Sequence, residues 1–160
     1  MSRLEPFPSP TERMLASLVD LALLARGGEG ASVILATGEV PPRIWDITTI
    51  ADPRLRDDTW TWLHAFVTWL NTQHAWYSVD HTPSCWPEHP GLVRELSTLA
   101  AVRYQAGEAT DPMPLEEWHR YALPNYLDRT RDQRHACDEK HQPWPGRAAM
   151  LRGVATRGIR

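Results

Sequence analysis

The sequence predicts a mostly α-helical protein, built as a compact bundle of four or five helices. Apolar side chains recur at helical spacing in several segments, and prolines and glycines stand at the borders of those segments. Hydrophobic residues make up 42% of the chain and charged residues 23%, a composition typical of an ordered globular protein. A length of 160 residues suits one domain with a single core.

The N-terminal part is predicted to be an extended arm followed by the first helix. Pro6 and Pro8 oppose helix formation, so residues 1–8 are assigned to the arm. The sequence Ser-Pro-Thr-Glu at 9–12 combines a capping serine with a proline suited to the first helical position and a glutamate of a capping box. The glycine pair at 27–28 is predicted to end this helix, because glycine is a common C-terminal stop.

The segment that follows predicts a small β-hairpin at about residues 31–49. ASVILAT at 31–37 is short, apolar and bounded by glycine, which is typical of a strand. One isolated strand cannot satisfy its backbone hydrogen-bonding groups, so RIWDITT at 43–49 is the expected partner strand.

The remaining helices complete a single helical domain predicted over residues 9–141. In the tryptophan-rich segment WTWLHAFVTWLNTQHAWY, apolar residues cover most of the helical circumference, which predicts the central helix. A further helix is expected to begin at Pro90 and to end near Gly107. The last one is expected to begin at Pro114 and to be interrupted by Pro124.

The charge distribution separates an acidic body from a basic C-terminal tail. The net charge is −3; residues 1–128 carry 9 basic and 17 acidic side chains, whereas residues 129–160 carry 8 basic and 3 acidic ones. We assign residues 142–160 to the tail. Its arginines are candidate contacts for nucleic acid or for an acidic protein partner: Arg147, Arg152, Arg157 and Arg160.

Two C-x3-H pairs form the strongest chemical motif, Cys85 with His89 and Cys137 with His141. Two cysteines with two histidines are a common ligand set for structural zinc. Residues four apart share one face of a helix, so each pair could supply two ligands, although Pro87 opposes a helix at the first pair. The alternative is a thiol enzyme in which a histidine activates Cys85. Two cysteines do not make a disulfide framework.

Eight tryptophans in 160 residues predict a core rich in indole rings. In the stretch CWPEHP at 85–90, two prolines are expected to stiffen the start of a helix while Trp86 docks into the bundle.

Three motifs carry a resemblance to a group of known proteins: WTWLHAFVTWL, SCWPEHPGLVRELSTLA and PLEEWHRYALP. Across about residues 58–128 the chain resembles small actinobacterial proteins of unknown function that are carried on plasmids and integrative elements. The resemblance implies an accessory protein of a mobile genetic element that acts by binding. It implies no enzymatic activity and no catalytic residue.

Together these features predict a non-enzymatic interaction protein that acts through protein–protein binding and needs no cofactor. The sequence has no membrane-spanning stretch and no N-terminal signal pattern, which predicts a cytoplasmic protein with reduced thiols. Three alternatives remain: a nucleic-acid accessory factor that uses the arginine-rich tail, a zinc-stabilised module, and a cysteine-dependent enzyme.

Overall fold

The computed structural model describes residues 4–137 and residue 141, and it is mostly α-helical, as predicted. No β-strand occurs among these residues. Within them, none of the helices combines the length and the apolar character needed to cross a membrane. The predicted basic tail at 142–160, with its four arginines, lies outside the described residues. The helices are α1 (Glu12–Arg26), α2 (Gly28–Ala36), α3 (Pro53–Gln73), α4 (Pro90–Glu108), α5 (Met113–Glu117), α6 (Leu123–Arg129) and α7 (Arg131–His135).

The predicted β-hairpin at 31–49 is wrong. Its first segment belongs to α2, which folds back onto α1 through Gly27 and Gly28, both at positive φ. Its second segment is a turn followed by a 3-10 helix at Ile47–Thr49, whose N-terminus is capped by Asp46. A short apolar run fits a strand or a helix equally well by periodicity alone. Here the segment is a helix that satisfies its own backbone hydrogen bonds and packs against α1, so no strand partner is needed.

Helix α3, the predicted central helix, contributes many buried side chains to the core, but α4 packs against more of the other elements. Helix α3 begins at Pro53, before the tryptophan-rich segment itself, because Asp52 caps it by accepting a hydrogen bond from the Arg54 N–H. Its buried side chains include several large apolar ones: Leu55, Trp62, Leu63, Phe66, Val67, Trp69 and Leu70.

Residues 4–8 of the predicted N-terminal arm lie along α3 and contribute to the core, and residues 1–3 lie outside the described residues. The indole N–H of Trp62 donates to the Pro8 carbonyl at 2.9 Å, and that of Trp69 donates to the Glu5 carbonyl at 3.1 Å. Phe7 packs edge-on against Trp69, with ring centroids 5.2 Å apart. The arm therefore supplies the hydrogen-bond acceptors that two buried indoles of the central helix require.

The chain between α5 and α6 is a π-helical turn, Trp118–Ala122. Pro124 has no N–H to donate to the carbonyl four residues earlier, and widening the turn accommodates that missing bond. The chain therefore departs from regular α-helix just before Pro124 and continues as a helix beyond it to Arg129. The same turn directs Trp118 into the core, where its indole N–H donates to the Leu99 carbonyl at 3.2 Å.

Most of the tryptophans in the described residues are core residues, in agreement with the prediction. Trp62, Trp69, Trp86 and Trp118 are buried, whereas Trp76 is 85% exposed. The exposed ring lies on the loop between α3 and the 3-10 turn Ser78–Asp80.

Candidate metal centre

The two C-x3-H pairs converge on one point of the fold. Cys85, His89, Cys137 and His141 each present one ligand atom, and these four atoms all lie within 4.8 Å of one another. His89 and Cys137 are buried, and the other two residues are partly buried. Tertiary structure thus brings together the residues that the sequence marked as candidate ligands.

A short 3-10 turn, Trp86–Glu88, places the first pair. Cys85 precedes the turn, and His89 follows it at the N-cap position of α4, where its side chain makes no capping hydrogen bond. The tight turn brings Cys85 Sγ within 3.5 Å of His89 Nε2, so Pro87 does not prevent the pair from meeting. The C-x3-H spacing predicted the correct pair. It did not predict this local geometry, because the prediction assumed the spacing of a regular helix and the pair lies on a 3-10 turn.

Trp86 fixes this turn to the body of the protein. Its side chain is 2% exposed and contacts the rings of Trp60 and His64 on α3, with centroids 5.7 and 5.0 Å away. The prediction that Trp86 docks into the bundle is confirmed. The docking also positions the two residues that bracket it in the C-x3-H motif.

Helix α7 places the second pair. It is only five residues long, and the buried Arg134 holds it in place. The Arg134 guanidinium donates to the Leu127 carbonyl at 2.8 Å and to Thr130 Oγ1 at 3.0 Å, and it also donates to the Val79 carbonyl. Cys137 lies just beyond α7, so its position depends on the contacts by which Arg134 holds that helix against Val79, Leu127 and Thr130.

The distances within the cluster fit a tetrahedral zinc ion. Cys137 Sγ lies 3.2 Å from His89 Nε2 and 3.8 Å from His141 Nδ1. With Zn–S bonds of about 2.3 Å and Zn–N bonds of about 2.0–2.1 Å, a tetrahedral centre separates sulfur and nitrogen by about 3.5 Å. Three of the four sulfur–nitrogen distances in the cluster, which include 3.5 Å from Cys85 to His89, are centred on that value, and no two ligand atoms are more than 4.8 Å apart.

The local electrostatics favour a neutral imidazole at His89 and do not activate Cys85 as a thiolate nucleophile. Burial lowers the pKa of His89, and the neighbouring His141 lowers it further, so the imidazole is held in the form that binds metals. Burial raises the pKa of Cys85, and the contact with Cys137 raises it further. A catalytic cysteine needs a lowered pKa, whereas a bound divalent cation would itself deprotonate both thiols.

Glu88 is a member of the site that the sequence did not single out. Its carboxylate oxygen Oε2 lies 3.2 Å from Nε2 of His141, on the ring nitrogen other than the one that faces Cys137. The sequence feature that could have identified Glu88 is its position inside the first C-x3-H pair, one residue before His89.

Two histidines of the tryptophan-rich segment pack against core tryptophans: His64 is an exposed residue of α3, and half-buried His74 follows the last residue of that helix. His64 packs against Trp86, and His74 packs against Trp69 at a centroid distance of 4.6 Å. Burial lowers the pKa of His74, and the nearby His119 and Arg103 lower it further. Neither of these two histidines belongs to the metal cluster.

Comparison of the chain with protein-family models, with curated proteins and with solved structures found no match.

Proposed function

We propose that this protein is a zinc-stabilised helical binding protein, in which one Cys2His2 centre has a structural role. The observation that carries the proposal is the convergence of Cys85, His89, Cys137 and His141 within 4.8 Å of one another. Two sulfur and two nitrogen ligands in a tetrahedral arrangement are the set that zinc prefers among the common metals.

A structural role fits better than a catalytic one because the chain supplies four ligands. Catalytic zinc sites keep one coordination position for water or substrate, whereas structural sites fill all four positions with side chains. The burial of His89 and Cys137 restricts access to the ion further. The centre is therefore suited to holding chain segments together.

The centre links two segments that are far apart in the sequence. One pair of ligands precedes α4, and the other follows α7, a helix of five residues. Cys137 and His89 are 48 residues apart in the sequence. A metal ion at this position would fasten the C-terminal end of the described chain to the N-terminus of a long core helix.

A binding role agrees with the resemblance to accessory proteins of mobile elements and with an exposed apolar loop. Trp76, Tyr77 and Val79 are 85%, 64% and 50% exposed. The loop is fixed by the Tyr77 N–H, which donates to the Asp80 carboxylate at 3.1 Å, and by the Arg134 contact at the Val79 carbonyl. Rigid, exposed aromatic side chains are typical of contact points for protein partners.

Elemental analysis tests the metal assignment directly. Protein purified without chelators or an affinity tag rich in histidine is expected to contain about one zinc ion per chain. The variants C137S and H141N should lose the zinc, whereas H81N, which changes an exposed histidine outside the cluster, should retain it. Substitution with Co2+ should give the absorption bands of a tetrahedral site with two thiolates. Metal content far below one ion per chain, unchanged after incubation with zinc, would exclude the centre.

A further inference from the structure

We propose that Glu88 is the positioning residue of this metal centre and selects which nitrogen of His141 binds the ion. The inference rests on the proposed zinc function and extends it to a residue outside the set of four ligands. By accepting a hydrogen bond from Nε2–H, the Glu88 carboxylate leaves the lone pair on Nδ1, which faces the cluster.

The two nitrogens of His141 have different neighbours. Nδ1 lies 3.8 Å from Cys137 Sγ, whereas Nε2 lies 3.2 Å from Glu88 Oε2. A neutral imidazole has one N–H donor and one acceptor nitrogen, so only one of the two can bind a metal at a time. A carboxylate can only accept, and its contact therefore assigns the proton to Nε2 and the metal to Nδ1.

His89 uses the opposite nitrogen. Its Nε2 lies within 3.5 Å of both cysteine sulfurs, at 3.5 Å from Cys85 and 3.2 Å from Cys137. The centre thus combines an Nε2 ligand with an Nδ1 ligand. The two imidazole rings meet at 70° with centroids 4.7 Å apart, so a tautomer change at His141 would have to turn that ring against His89.

The position of Glu88 is fixed by the same turn that presents the first pair. Its N–H donates to the Cys85 carbonyl at 2.9 Å, and the next residue in the chain is the ligand His89. The carboxylate is 62% exposed, so its hydrogen bond with His141 contributes little to folding in water. The influence of Glu88 is therefore expected in metal affinity and in ligand geometry, not in the amount of folded protein.

The experiment measures zinc affinity by competition with a chromophoric chelator for the full chain and three variants. E88A removes the acceptor and is expected to weaken zinc binding about 10- to 100-fold, the usual effect of losing such an outer partner. E88Q keeps a carbonyl oxygen that can accept from Nε2–H, so it should recover part of the loss. E116Q is the matched control, because Glu116 is an exposed carboxylate paired with Arg120 on a different helix. Circular dichroism should show the same helix content for all four proteins.

A spectroscopic measurement separates positioning from a general effect on the fold. In zinc-loaded protein with 15N-labelled histidine, the His141 ring should show a metal-bound Nδ1 and a protonated Nε2. In E88A the Nε2 proton should exchange faster with solvent, and E88Q should restore slow exchange. A zinc affinity of E88A within about twofold of that of the unmodified protein would overturn the inference, and so would a metal-bound Nε2 at His141. Either result would leave the zinc site itself intact. Failure of the unmodified chain to bind zinc would instead overturn the proposed function.

Discussion

Replacing Trp86 with alanine should lower the free energy of unfolding by about 3–5 kcal/mol, as other buried large-to-alanine changes do. Trp86 is 2% exposed and lies between the rings of Trp60 and His64. A buried indole removes roughly 200 Å2 of surface from water, worth about 5 kcal/mol at 25 cal/mol per Å2 as an upper limit. The cavity left between the 3-10 turn and α3 adds to the loss.

The assay is chemical denaturation followed by far-UV circular dichroism, because the substitution removes one of the fluorescent reporters. Both proteins should be measured at the same free zinc concentration, since a ligand of the folded state shifts apparent stability. A lower midpoint with an unchanged slope would show that stability, and not the extent of unfolding, has changed.

The chain provides a matched control in Trp76, which undergoes the same chemical change in an 85% exposed position. W76A should change stability by no more than about 0.5 kcal/mol, as expected for a surface substitution. A loss below about 1 kcal/mol for W86A, or equal losses for the two variants, would refute the reasoning that Trp86 anchors the metal-binding turn to the core.

Three further predictions concern the metal, the pH response and the tail. Removing zinc from protein held at a free metal concentration about 1,000 times Kd should cost about 4 kcal/mol, and the melting temperature should rise with zinc concentration; a melting temperature independent of zinc would contradict a structural site. Because the pKa of His74 is lowered in the folded protein from 6.5, the unfolded chain binds protons more readily there, so stability should fall as the pH drops below about 6.5. The variant H74Q should flatten that slope in denaturation curves recorded from pH 8 to pH 5, and an unchanged slope would assign the effect to other groups. A chain ending at His141 should lose salt-sensitive retention on immobilised single-stranded DNA if the four tail arginines contact phosphates, whereas equal retention of both chains would locate the contact elsewhere.

Local sequence signals were sufficient for most of the helices. The core side chains of α3 follow helical spacing, and α4 begins at Pro90, as predicted. These features act within one or two turns of the chain, so the sequence alone reveals them. The hairpin prediction at 31–49 failed because a short apolar run carries no such periodic signal and because its helical partner, α1, lies in an earlier segment.

The sequence by itself determined that the chain forms an aromatic, helical core and that it carries two pairs of metal-binding side chains. It did not determine that those pairs meet. Their convergence depends on Trp86 docking against α3 and on Arg134 clamping α7, contacts between residues far apart in the chain. Only the tertiary structure brings Cys137 to within 3.2 Å of His89 and places Glu88 beside His141. The physical reason is that coordination depends on distances in space, which the spacing of residues along the chain does not encode.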